Sequence, residues 1–215
     1  MKYFLSTNAL QYWYDQYFLL NLLKVLSVLC LSFIVNFYAV RYATLHTGQA
    51  TSDLIFEHIL YIDSRIVGHY SVFFSTLVLS VYLCFHPQRI LFFLKTTSVL
   101  VLVRDFFIDL THVGVPVVAH PTVSFVSQGG DLFFSGHTAL PFLASLVFWN
   151  DRPARYTFLF FSFSLGAESL IGRLNYSIDV FAAPFITYGI YILCQKVFKK
   201  DYAMIHTNAD RLADK

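Results

Sequence analysis

Charge is scarce in this sequence. Asp, Glu, Lys and Arg make up 13% of its 215 residues and leave a formal net charge of +2, too little and too scattered for a chain that grips nucleic acid. Cysteine is sparse as well: Cys30, Cys84 and Cys194 all fall inside apolar stretches. They have no paired spacing and no compact Cys/His motif to complete a zinc site, so they read as small core residues. There is no internal repeat and no low-complexity tract. No small-residue cleavage site follows the first long apolar run, which is therefore expected to be an uncleaved anchor, with Tyr12, Trp13, Tyr14 and Tyr17 as an interfacial aromatic belt before it.

What abounds is apolar surface. Hydrophobic residues are 57% of the chain and the mean hydropathy is +0.59, more than one soluble core could bury, so lipid must cover the rest. Crossing the hydrocarbon takes about 20 mostly apolar residues. Runs at 17–40, 69–85, 90–110, 135–149, 156–173 and 177–198 reach or approach that length. The expected fold is all-α, a polytopic membrane protein with six transmembrane helices in one bundle. An interfacial segment over 1–16 would precede the 17–200 domain, and a cytoplasmic tail over 201–215 would follow it. Breaks such as His86-Pro87-Gln88-Arg89 and Asn150-Asp151-Arg152-Pro153 end helices at proline and hold polar residues at the interface. The 24 Phe and 14 Tyr read as lipid-facing and interhelical packing.

Six spans put Arg89, Arg152, Arg155, Lys196, Lys199 and Lys200 on the side of the N-terminus, and Arg41, Arg65 and Arg173 on the other. The excess of positive charge marks the first side as cytoplasmic, with both termini there. The two long connections, 41–68 and 111–134, and the tight turn at 173–176 then lie on the extracytoplasmic side. Small size and short loops lean toward a bacterial inner membrane.

Three clusters carry chemistry. Gly129-Gly130-Asp131 leads through Ser135-Gly136-His137-Thr138 into the fourth run. Ser135 can cap a helix, Gly136 lets a ligand approach the backbone, and the positive end of the helix dipole suits a phosphate. His137 at that mouth can donate a proton to a leaving alkoxide or take one from an incoming hydroxyl. For a lone Ser-Gly-His, a capped helix with an interfacial histidine would be the better reading; Asp131 close by shifts the balance toward function.

The second cluster is Asn175-Tyr176-Ser177-Ile178-Asp179-Val180, at the start of the sixth run and on the same expected side. An aspartate inside a span is costly unless paired or solvated, which makes Asp179 a functional candidate. On a helix, positions 175 and 179 would share a face, so Asp179 could orient a residue at 175. The structural alternative has Asn175 capping the helix and bonding Asp179. In the third cluster, Asp105, Asp109 and His112 follow helical spacing, while Arg104 shares another face with Thr111. Arg104 could clamp a phosphate and the carboxylates could hold a cationic headgroup, or all could form an internal ion-pair network. A metal site has no compact ligand motif to support it.

Gly-Asp-x-x-x-Ser-Gly-His-Thr at 130–138, followed about forty residues later by x-Tyr-Ser-x-Asp-Val at 175–180, resembles the sphingomyelin synthase family of the lipid phosphate phosphatase superfamily. Arg104 and Thr111 fit that family's Arg-x6-Thr pattern, and Asp53 to His58 matches more faintly. The resemblance implies six spans, an extracytoplasmic site and no cofactor or metal. It implies His137 as acid and base and Asp179 as the orienting carboxylate. A histidine would attack phosphorus where this chain has Asn175. Asp131, Ser135, Gly136, Arg104, Asp105, Asp109 and Tyr176 become candidate substrate-binding residues. The expected reaction moves phosphocholine or phosphoethanolamine from a donor phospholipid to a lipid alcohol such as ceramide or diacylglycerol; homo-oligomerisation stays open. Gly129 and Pro184 also depart from the family pattern, away from the reaction centre.

Asparagine is neither a phosphoryl-accepting nucleophile nor a titratable base. The chain is then a substrate-trapping variant, a lipid-binding pseudoenzyme, or an enzyme attacking through another histidine such as His69, His112 or His120. The first is preferred, because the surrounding site is intact and asparagine is nearly isosteric with histidine. A lipid phosphatase, differing only in admitting water as acceptor, is the neighbouring alternative, though the usual Lys- and Arg-rich phosphatase motif is not evident before the first site.

Overall fold

The computed structural model describes residues 7–62, 64–111, 113, 114, 116 and 133–205. Among them lie eight helices and no strand: α1 Thr7–Tyr14, α2 Gln16–Leu45, α3 Leu54–His58, α4 Arg65–Phe85, α5 Pro87–Leu110, α6 Gly136–Val147, α7 Arg152–Ile171 and α8 Ser177–Val197. Six of them overlap the six apolar runs. Their ends follow local chemistry. Asp15 and Asp151 accept from Tyr17 N and Ala154 N to start α2 and α7. Pro87 sits in the first turn of α5, where its missing N–H costs nothing. The short α1 and α3 lack the length to have shown in an apolar pattern.

Three helices, Gln16–Leu45, Ile66–Phe85 and Ser177–Val197, are long and apolar enough to cross a membrane. Their outer faces carry large side chains with little protein against them: Leu23 is 63% exposed, Phe73 67% and Phe185 79%. A water-facing surface would not hold such a patch, and hydrocarbon tails would cover it. α2 packs chiefly on α5, α4 on α7, and α6 on both α7 and α8.

α6 is the innermost element. Its 12 residues rise only about 18 Å, short of the roughly 30 Å hydrocarbon thickness. Ala139, Leu143 and Ala144 are fully buried, and Phe92, Phe134, Phe148 and Phe158 close the core around it. Small residues let the neighbours approach. A Cβ on Gly166 of α7 would stand 3.0 Å from Thr138 Oγ1 of α6 and 3.1 Å from Val180 Cγ1 of α8. Gly166 of α7 thus brings together α6 and α8, the two helices that carry the sequence motifs. Gly166→Val is expected to lower stability by about 1–3 kcal/mol through overpacking, read as a fall in the thermal unfolding midpoint in detergent. An unchanged midpoint would mean the helices part without cost there.

Candidate active site

The two motif segments meet at the N-termini of α6 and α8. Ser135 N–H donates to Asp179 O at 2.9 Å, a backbone bond between residues 44 positions apart in sequence. On the α6 side, Ser135 holds the N-cap position, yet its hydroxyl makes no cap bond. Ser135 Oγ is fully buried with no partner, and Thr138 Oγ1 is a second buried hydroxyl oxygen without one. A buried unpaired hydroxyl costs roughly 1–3 kcal/mol, and Ser135 holds its own at a positive helix end, which suits an acceptor-rich ligand such as a phosphate. A Cβ on Gly136 would meet nothing within 4 Å, so the backbone there is approachable. His137 stands half-buried in the same first turn.

On the α8 side the helical-face argument needs correction. α8 begins at Ser177 with Tyr176 as N-cap in an extended conformation, so Asn175 lies before the helix and shares no helical face with Asp179. Asn175 does not cap α8 either. Asp179 accepts the Tyr176 N–H at 3.1 Å through Oδ2, fixing the backbone beside position 175 instead of bonding it across a turn. The Asn175 side chain is 6% exposed, and no hydrogen bond holds it among the described residues.

The turn that delivers Asn175 is itself unusual. Arg173 has φ 52, the left-handed conformation glycine normally supplies after a helix. Arg173 N–H bonds Leu170 O at 3.1 Å and Leu174 N–H bonds Ser169 O at 2.9 Å, closing the end of α7. The Arg173 guanidinium holds this geometry from outside, donating to Phe56 O at 2.9 Å and lying over the Phe56 ring at 5.4 Å.

The third cluster divides. Arg104 is 9% exposed, and its Nε donates to Phe133 O and Phe134 O at 3.1 and 3.2 Å. That bond positions the segment entering α6. Asp105, 3% exposed, accepts from Asn36 Nδ2 at 2.6 Å and ties α5 to α2. Asp109 is exposed at the end of α5. Asp131, His112 and His120 lie outside the described residues, and His69 is exposed on α4. Among the described residues no group of three or more His, Cys, Asp or Glu could hold a metal ion.

Residues 128–196 match the family model PAP2 superfamily C-terminal. The PAP2 match holds both motif segments, all of α6 and α7 and nearly all of α8. The match covers 69 of the 215 residues and states what this segment is similar to. Neither a curated protein nor a solved structure matches the chain.

Outside the PAP2-matched segment, the first connection packs onto the N-terminus of α8. Asp53 accepts from Ser177 N at 2.7 Å and from Ile55 N at 2.9 Å, so one carboxylate starts both α3 and α8. Tyr176 OH donates to Gly114 O at 2.7 Å and accepts from Thr51 N at 3.1 Å, and its ring stacks on Phe56 at 5.9 Å. Together these groups border a cavity of about 240 Å³ reached by Asp53, Val113, Tyr176 and Asp179. In the sequence Asp53 stands out only through the faint family match at Asp53 to His58. An Asp before a short apolar helix signals a cap for that helix, but nothing local announces a second helix over a hundred residues away.

Burial pushes the Asp53 carboxyl up, but hydrogen bonds from Ser177, Ile55 and Phe56 outweigh it, and the net value lies below the ordinary 3.8. A depressed carboxylate contributes stability that is fully present above its unfolded value and lost as pH falls through the lower folded one. Asp53→Ala is expected to cost about 1 kcal/mol near neutral pH and to speed proteolysis within 46–64. The difference from the parent should vanish in acid well below pH 3.8. A difference that persists there would assign the effect to packing.

Proposed function

We propose that this chain has the site of a phosphoryl-headgroup transferase of sphingomyelin synthase type, with position 175 as the point of attack and asparagine disabling it. The observation that carries the reading is the Ser135 N–H bond to Asp179 O, which joins the two motif segments at one pair of helix N-termini. The Ser135 hydroxyl beside it, buried and without a partner among the described residues, would supply a donor for a phosphate. Six spans with both termini cytoplasmic would place this site at the outer leaflet; the exposed apolar faces of α2, α4 and α8 support a membrane location.

In the reaction, a histidine at 175 attacks the donor's phosphorus. The bond from phosphorus to the diacylglycerol oxygen breaks, and His137 gives that oxygen its proton. His137 then takes the proton of an acceptor hydroxyl as the acceptor oxygen attacks phosphorus and frees residue 175. Ser135 and Gly136 would receive the phosphate, Arg104 would position the α6 approach, and Asp179 would set the backbone at 176. Asp131, Asp105, Asp109 and Tyr176 remain substrate-binding candidates, with Tyr176 acting through the cavity it borders.

A lipid phosphatase fits the PAP2 match equally well, with water in place of the lipid alcohol. The test is a headgroup-transfer assay on purified chain in detergent with labelled phosphatidylcholine or phosphatidylethanolamine. The acceptor is ceramide, diacylglycerol or none. Labelled sphingolipid or phospholipid product supports transfer, and labelled free phosphocholine or phosphoethanolamine with no acceptor lipid supports hydrolysis. No product from either Asn175 or Asn175→His protein would leave a lipid-binding role as the better account.

A further inference from the structure

A second cavity, of about 330 Å³, lies at the opposite end of α6 and α8. Arg89, Trp149, Asn150, Tyr188, Tyr191 and Gln195 border it. Arg89 is 8% exposed. A guanidinium carries five N–H donors, and here one bond is made, from Nη1 to Val147 O at 3.3 Å. Nε is buried with no partner. Asp151 lies near enough to act on Arg89 through its charge, but it accepts from Ala154 N at 3.2 Å and makes no ion pair with Arg89 among the described residues. Phe148 lies 4.5 Å beneath the guanidinium as a cation–π partner, which orients the charge without neutralising it.

Capping the last turn of α6 would account for the Val147 bond alone. It leaves the other guanidinium N–H groups of a cavity-lining arginine without a hydrogen-bonded carboxylate among the described residues, where a buried charge is costly unless its donors are satisfied. Tyr191 OH, spent on Leu146 O at 3.2 Å, frames the same wall. Half-exposed Trp149 and Tyr188 stand at the rim, where amphipathic rings meet the headgroup layer. Exposed Lys196, Lys199 and Lys200 gather at this end and favour an anionic leaflet.

We infer that this cavity binds a phosphate-bearing anionic headgroup, with Arg89 as its principal contact, at the membrane face opposite the candidate active site. The site is independent of the headgroup-transfer reading. It would be measured on the purified full chain in dodecyl maltoside by native mass spectrometry, titrating dioleoylphosphatidylglycerol or dioleoylphosphatidylcholine. Phosphatidylglycerol is expected to bind more tightly, and Arg89→Gln to weaken it at least tenfold while leaving phosphatidylcholine unchanged. Because Arg89→Gln also removes the bond to Val147, Gln195→Trp serves as a second variant that fills the cavity and spares Arg89. It should produce the same loss with an unchanged thermal midpoint. Sodium phosphate at millimolar concentration separates the sources: displacement of phosphatidylglycerol identifies a site for soluble phosphates, and no displacement identifies a lipid site. Parent-like phosphatidylglycerol affinity in Gln195→Trp, or in folded Arg89→Gln, would overturn the proposal and leave Arg89 as a helix cap.

Discussion

Asn175→His is expected to raise headgroup transfer roughly 10³-fold or more above the parent chain, the scale on which losing a nucleophile is measured in enzymes that form covalent intermediates. The surroundings of residue 175 explain why a single substitution could act so strongly. The chain reaches it through a turn fixed by the left-handed Arg173 and leaves it through a cap fixed by Asp179. Its side chain is buried at 6% exposure and makes no hydrogen bond among the described residues, so an imidazole would replace an amide that ties none of them in place. The Ser135 to Asp179 bond keeps the first turn of α6 alongside. Orientation of this kind is already present in the folded chain and need not be created by the substitution. Rapid-quench labelling should trap phosphoprotein in Asn175→His and not in the parent. Transfer at equal rates by both proteins would sink the assignment and direct attention to another histidine.

Helix positions were legible because apolar length is a local signal. The run at 90–110 became Pro87–Leu110 and the run at 177–198 became Ser177–Val197. The site was legible only as two segments. Their approach depends on Gly166, whose missing side chain lets α6, α7 and α8 close together, and a lone glycine in an apolar run does not disclose its neighbours. The start of α8 at 177 was legible, and only its cap residue was not, for a related reason. Asn is a favoured cap residue, so Asn175 looked like the boundary, yet Asp53 bonding Ser177 N and Asp179 bonding Tyr176 N move the cap one residue on. Two long-range or cooperative hydrogen bonds outweigh a statistical preference worth about 1 kcal/mol. The planar fork of Arg104 suggested a phosphate clamp, and the bonds from its Nε to the carbonyls of Phe133 and Phe134, which do not decide that role, were not legible beside it. A guanidinium serves either purpose, and only the fold decides which backbone lies within reach.

The second large effect is expected at His137. In the Asn175→His background, His137→Gln should lower kcat for transfer about 10²- to 10⁴-fold, the usual contribution of a positioned acid and base, with a much smaller change in KM. Gln keeps a planar polar group of similar reach in the first turn of α6, where His137 is only half-buried, so the thermal midpoint should stay close to the parent's. The double role assigned to this imidazole gives the test its resolution. With a natural donor, the departing diacylglycerol oxygen is strongly basic and needs a proton as the phosphorus–oxygen bond breaks. With p-nitrophenyl phosphocholine as donor, the departing phenolate is stable unprotonated, so formation of the phosphohistidine should return to nearly the rate of the His137 protein. The second half-reaction, in which a lipid hydroxyl must lose its proton, should stay slow, and phosphoprotein should accumulate. Loss of both half-reactions with both donors would instead mean that His137 shapes the α6 terminus and moves no proton.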